Sequence, residues 1–331
     1  MIVIYEFLND PGFGDNLRGL YCLLELISIR SVYFYVDFSK SSIYKFIKHR
    51  LPENIVNLQC DTFCIMHDGT STQKTIKDII KNSSQNIRIN TNIFPVQVTT
   101  QMKTYVKTLF NFTDDFLKIY NDYREKLPES YKIYHFRYGD DIFKDDIHFV
   151  DDNTIKLFQD LYNNKEDVLV ISDSFNLKKT LNSKFDKHIY TFLNKPSHTN
   201  NSDNSIDIFI DLFLIANSSA VYGYSYYPWI SNFILWIATT NDINVVNLKD
   251  TFSLGNKIIG GKYDWEGGNV ITFTDGKVNL SDLLYGTYYF NGLNTIYAFF
   301  GDFYHSIKFN DDYTGYTSTR SDGHVVKGNV R

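Results

Sequence analysis

Chemistry in this chain centres on His135-Phe136-Arg137-Tyr138-Gly139-Asp140, which follows the strand-like run Lys132–Tyr134. Ligands of open α/β sheets bind beyond the carboxyl ends of the strands, so Arg137 stands where a ligand would lie. A guanidinium there can grip a diphosphate through two parallel charge-assisted hydrogen bonds. The plainer reading is an Arg137–Asp140 ion pair that stitches a loop. Carboxylates follow in Asp140-Asp141-Ile142-Phe143-Lys144-Asp145-Asp146, and one of them could take the proton of an attacking hydroxyl. A solvated acidic loop is the other reading of that run.

A second candidate is the loop Asn9-Asp10-Pro11-Gly12-Phe13-Gly14-Asp15-Asn16. Gly12 and Gly14 let backbone approach a ligand closely, and the helix that follows offers free N–H groups to a phosphate. An ordinary tight turn between strand and helix would use the same residues. Gly12-Phe13-Gly14, with Asp37 some twenty residues on, also half-matches a dinucleotide fingerprint. Leu17 occupies the position of its third glycine.

Both candidates depend on elements that place them. Ile2–Phe7 reads as a buried strand, Leu17, Leu20, Leu24 and Ile27 recur at helical spacing, and Ser31–Asp37 is again strand-like. Later, Lys132–Phe136, Val168–Ser172, Ile189–Phe192, Ala220–Tyr222 and Asn244–Leu248 read as strands. Asp152–Leu161, Asn176–Asn182, Ile206–Ala216 and Pro228–Thr239 read as the helices between them. This alternation predicts an α/β protein with parallel sheets, divided into lobes over 1–130 and 131–250 that face a cleft. From 251 to 331 glycines punctuate short aromatic and β-branched runs, which predicts a small antiparallel β module. Such a module would have its own core, with edge strands and aromatics left for acceptor docking or homo-oligomer formation. Of its aromatics, Trp265, Tyr288, Tyr304 and Tyr316 suit a hairpin core or a stack on sugar.

The 331 residues, 43% of them apolar and 21% charged, suffice for real cores. A net charge of −5 supplies no basic field for nucleic acid. Cys22, Cys60 and Cys64 fit reduced structural thiols better than a disulfide framework or a zinc site. His148, His198 and His305 have no metal-site spacing, and Asp114-Asp115 and Asp311-Asp312 read as helix-start or turn residues. With neither an export signal nor a spanning run, the expectation is a cytoplasmic protein without a membrane span.

Four segments in order resemble the α-1,6-fucosyltransferases, both bacterial nodulation-factor and animal core enzymes, with protein O-fucosyltransferases as distant relatives. They are Gly12-Phe13-Gly14-Asp15-Asn16-Leu17, His135-Phe136-Arg137, Val170-Ile171-Ser172-Asp173, and Asp211–Asn217 running to Gly223-Tyr224-Ser225. Together they span roughly residues 1–250. The resemblance implies a GT-B-like pair of Rossmann-like lobes and an inverting transferase that uses GDP-fucose, a glycan acceptor and no metal or other cofactor. It implies that the glycine loop and Arg137 meet the diphosphate, that Asp173, Asp211 and Ser225 line the nucleotide pocket, and that His135 and Tyr226 also belong to the substrate-binding residues. Asp145 sits where the core enzymes carry an acidic residue, which makes it the first candidate base, with Asp140 beside it. Two departures stand out: Tyr138 replaces a second basic residue, and Asp141 replaces a basic one. Other readings are a non-catalytic glycan-binding protein on this scaffold and, on the Gly12/Gly14/Asp37 pattern, a nicotinamide-dependent oxidoreductase.

Overall fold

Hydrophobic runs of five or six residues alternate with amphipathic helices, and in the computed structural model they form two parallel sheets. The structure describes residues 1–10, 12–27, 32–67, 72–138, 152–194, 205–225, 227, 229–249, 258–274, 277–281, 284–290, 295–300, 303–310 and 312–331. The chain divides into two compact units. The first comprises Met1–Leu127, Ser197–Ser218 and Asn232–Asn244, and the second Pro128–Pro196, Ser219–Ser231 and Val245–Arg331.

The first unit is built on strands β1 (Ile2–Glu6), β2 (Tyr33–Asp37), β3 (Asp61–Ile65) and β4 (Ile87–Thr91). They pair in parallel in the order β2-β1-β4-β3. Val3, Ile4 and Tyr5 are consecutive and fully buried, as expected of a central parallel strand covered on both faces. Its helices are α1 (Phe13–Ile27), α2 (Glu53–Val56), α3 (Gln73–Asn82), α4 (Thr100–Leu109) and α5 (Asp114–Arg124). Two later helices, α8 (Ser205–Ala216) and α9 (Asn232–Asn241), belong to it as well. Asp114 and Asp115 open α5, where Thr113 accepts the Phe116 N–H at 3.4 Å, so they are helix-start residues as read. Apart from that helix start, the elements between Asp37 and Leu127 carry no motif that announces them. Packing assigns α8 and α9 to this unit, whereas the alternation of elements along the chain places them in the stretch 131–250.

The second unit holds β5 (Lys132–Arg137), β6 (Val168–Ser172), β7 (Ile189–Thr191), β8 (Ala220–Ser225) and β9 (Val245–Asn247), with helices α6 (Asp152–Asn163) and α7 (Phe175–Lys184). The strands are parallel in the order β7-β6-β5-β8-β9. An antiparallel meander of eight strands follows: β10 (Lys262–Asp264), β11 (Val270–Thr274), β12 (Lys277–Leu280), β13 (Leu284–Phe290), β14 (Thr295–Phe300), β15 (Phe303–Phe309), β16 (Gly315–Arg320) and β17 (Val325–Asn329).

Two expectations for this module are corrected. Its core is not its own, since one continuous apolar cluster runs from Tyr134, Phe136, Phe158 and Val170 to Phe273, Tyr288, Ile296 and Phe309. Nor are its first and last strands open edges. Tyr263 bridges Val330, and the Arg331 N–H donates to the Lys262 carbonyl at 2.8 Å. Trp265, Tyr288 and Tyr316 are buried core residues, while Tyr304 stays 48% exposed. Among the described residues no helix is long and apolar enough to cross a membrane.

Candidate functional site

Strand periodicity settles which side chains of the central motif share a face. Tyr134, Phe136 and Tyr138 alternate into the apolar cluster, which leaves His135 and Arg137 together on the opposite face. Tyr138 packs within 6.2 Å of the Phe136 ring and 5.7 Å of the Tyr224 ring. Tyr138 is thus a core residue. Arg137 is half-buried at the carboxyl end of β5, in register with Ser225 at the end of β8. His135 is buried, and burial, helped by the Arg137 charge, pushes its pKa down to about 3. It is therefore a neutral imidazole at physiological pH.

The neighbouring strand ends hold this edge in shape. Asp173, just past β6, accepts the Tyr138 N–H at 2.8 Å and ties down the backbone immediately after Arg137. The Ser174 N–H donates to the Ser172 hydroxyl at 2.9 Å, and the Ser174 hydroxyl caps α7 by accepting the Leu177 N–H at 3.1 Å. Ser225 is buried, and its hydroxyl accepts the Tyr227 N–H at 3.2 Å. Lys249, two residues beyond β9, is buried as well; its ammonium donates to the Tyr227 carbonyl and lies 5.8 Å from the Tyr224 ring centroid. Sequence reasoning missed Lys249, because nothing local marks a lysine that follows a three-residue strand. Asp140, Asp145 and Tyr226 lie outside the described residues.

In the first unit the glycine loop ends β1 and opens α1. Gly12 has φ +129°, a conformation that side-chain-bearing residues rarely adopt, so the turn itself requires glycine. Gly14 is needed for another reason: a Cβ there would sit 2.3 Å from the Asn232 carbonyl carbon at the start of α9. Asn16 is fully buried and serves the loop's own shape. Its amide donates to the Leu8 carbonyl at 2.9 Å and the Gly12 carbonyl at 2.8 Å, and its oxygen accepts from Leu8 N and from Asn90 Nδ2. Asp15 receives Arg18 Nη2 at 2.9 Å and Asn232 Nδ2 at 3.0 Å, and the Arg18 guanidinium lies 4.1 Å from the Phe94 ring centroid. Phe13 packs among Phe7, Phe110, Phe209 and Phe233. Asp211 lies on α8, half-buried.

Asp37, the acidic residue of the dinucleotide pattern, is committed elsewhere. Burial alone would raise its carboxyl, but the Ser39 N–H at 2.9 Å and Arg88 at 2.8 Å hold it below the usual carboxylate range. Arg88 also lies 3.5 Å from Glu6, which pairs with Lys40 at 2.8 Å. A ribose would have to displace an ion pair to reach Asp37. Among the described residues no group of three or more His, Cys, Asp or Glu is placed to hold a metal ion.

The chain matches no protein-family model and no curated protein. Its structure does match solved structures. An Arabidopsis thaliana FUT1 mutant in complex with GDP is 12% identical, over 74% of this chain and 70% of that one, with a TM-score of 0.50. NodZ alpha-1,6-fucosyltransferase soaked with GDP-fucose is 11% identical, over 71% and 91% of the two chains, with a TM-score of 0.47. POFUT1 in complex with GDP is 8% identical, over 74% and 97%, with a TM-score of 0.45. At these identities the likeness concerns fold, and the chain shares its fold with the plant FUT1 structure.

Proposed function

We propose that this chain is an inverting glycosyltransferase that moves fucose from GDP-fucose to a glycan acceptor without a divalent ion. The observation that carries the reading is Arg137 at the carboxyl end of β5, with its following backbone fixed by Asp173 and Ser225 in register beside it. Fold likeness to the plant FUT1 structure, solved with GDP, supports a nucleotide ligand.

The chemistry follows from charge. In an inverting transfer the sugar carbon becomes oxocarbenium-like while negative charge collects on the departing diphosphate. A guanidinium held at a strand end meets that charge without having to reorganise, and one such donor contributes about 3–4 kcal/mol to lowering the barrier. Arg137 takes this role, and neutral His135 adds hydrogen bonding without repelling it. Asp145 is the first candidate for the base that accepts the acceptor's proton, and Asp140 the second.

A panel of nucleotide sugars incubated with the protein in excess EDTA tests the reading. GDP-fucose is expected to be consumed in preference to the others, slowly and to water when no acceptor is present. The first fucose released should carry the anomeric configuration opposite to the donor's by proton NMR. Preference for another donor, retention of configuration, or loss of activity in EDTA restored by Mn²⁺ would each remove a part of the proposal.

A further inference from the structure

Just beyond Ser225 the chain builds a feature that donor chemistry does not use. The rings of Tyr227 and Trp229 stack with centroids 5.1 Å apart and planes 7° from parallel. Trp229 is 59% exposed, whereas the other two tryptophans, Trp236 and Trp265, are buried. An indole left in water gains nothing from burial, so a fixed, exposed one suits a surface that a ligand will cover.

Its stacking partner is anchored from behind. The Tyr227 N–H is held by the buried Ser225 hydroxyl, and the Tyr227 carbonyl by the buried Lys249 ammonium. Tyr227 is thus pinned on both sides of its Cα, and its ring backs the indole. A platform ordered in advance loses little entropy when a ligand settles on it.

We propose that Trp229, backed by Tyr227, is the platform on which a pyranose ring of the acceptor glycan stacks; this rests on the transferase reading above. Two ring-bearing parts of the substrates could lie on an indole, the nucleobase and a sugar. Selecting a base requires an enclosed pocket with hydrogen-bonding groups along its edge. Here the contact that defines the feature is ring against ring, and Trp229 keeps most of its surface exposed. That suits the apolar C–H face of a pyranose whose hydroxyls remain hydrated, as in an acceptor that extends into solvent.

The test uses the full chain, an array of immobilised oligosaccharides of defined structure, and calorimetry with GDP. Wild type should bind at least one oligosaccharide, and that sugar in solution should shield the exposed tryptophan from acrylamide quenching. Trp229→Ala should weaken the oligosaccharide about tenfold or more and Trp229→Phe far less, with GDP affinity and melting temperature nearly unchanged. The platform is refuted if wild type binds no sugar, if Trp229→Ala binds sugar as well as wild type, or if bound sugar leaves quenching unaltered. A comparable loss of GDP affinity in Trp229→Ala would assign the indole to the base instead. Wild type that binds sugar but not GDP would sink the transferase reading, while the quenching result would still decide whether Trp229 stacks a sugar.

Discussion

The glycine loop of the first unit and the strand-end edge of the second share a place in their folds but not a design. Both follow the carboxyl end of a central parallel strand, β1 in one case and β5 in the other. In the loop two polar side chains serve its own shape: Asn16 binds Leu8, Gly12 and Asn90, and Asp15 binds Arg18 and Asn232. Among the loop's described residues only Asp10 is exposed, and at Gly12 there is only backbone to offer a ligand. At the edge the supporting groups, Asp173 and Ser225, hold backbone in place beside a cationic side chain, Arg137. A backbone device fails when its shape fails, whereas a side-chain device loses its chemistry and keeps its fold.

The largest expected effect separates the two designs. Arg137→Ala should lower transfer by about 3–5 kcal/mol of transition-state stabilisation, hundreds- to thousands-fold in rate, with thermal stability close to wild type. Steady-state kinetics beside a melting curve check this. Near-normal turnover in a folded variant would remove Arg137 from the chemistry. A large fall in stability would make the edge a structural device like the loop.

Gly14→Ala tests the other half. The added methyl would meet the Asn232 backbone at 2.3 Å, and α9 must move to admit it. Overpacking of this kind costs about 1–3 kcal/mol, so the urea midpoint should drop and donor affinity should fall with it. Unchanged stability with lost affinity would mean that Gly14 serves the ligand directly, as its sequence context first suggested.

These two residues also mark how far the sequence could be read. The strand-end position of Arg137 was legible because a short, largely apolar run leads into it and parallel sheets bind ligands at the carboxyl ends of their strands. The boundaries of β6 and the core of α8 were legible for the same local reasons. The reason for Gly14 was not, because its partner is Asn232, and the hydrogen bond beside it joins residues 217 positions apart. The glycine-loop resemblance puts Asn16 among the residues that meet the diphosphate. Only the fold shows its amide consumed by the loop itself. In the C-terminal meander the hairpins were legible from glycine spacing, but the meeting of its first and last strands and its shared core were not. Neither leaves a mark in a local window.

The smallest effect concerns His135, a titrating group of the edge. Its folded pKa is pushed down to about 3, by burial first and by Arg137 second, while an unfolded histidine titrates near 6.5. The sign follows from proton counting. Below about pH 6.5 the unfolded chain binds a proton that the folded chain refuses, so His135 draws stability away as pH falls from there toward 3. Above about pH 7.5 neither state is protonated and the contribution vanishes. At pH 5 the linkage is worth about 2 kcal/mol for one such group. His305, buried against Phe300 with its pKa pushed down to about 4 by burial, acts in the same direction and sets a background slope. His135→Leu should therefore lose less stability than wild type between pH 7.5 and pH 5, with the His305 background present in both. Urea unfolding at the two pH values gives the difference directly. Equal losses would mean that His135 accepts its proton in the folded state, and the edge would then carry a second cation beside Arg137 in mild acid. The pH profile of donor binding would have to be read again on that basis, since two adjacent cations would tighten a diphosphate as the pH falls.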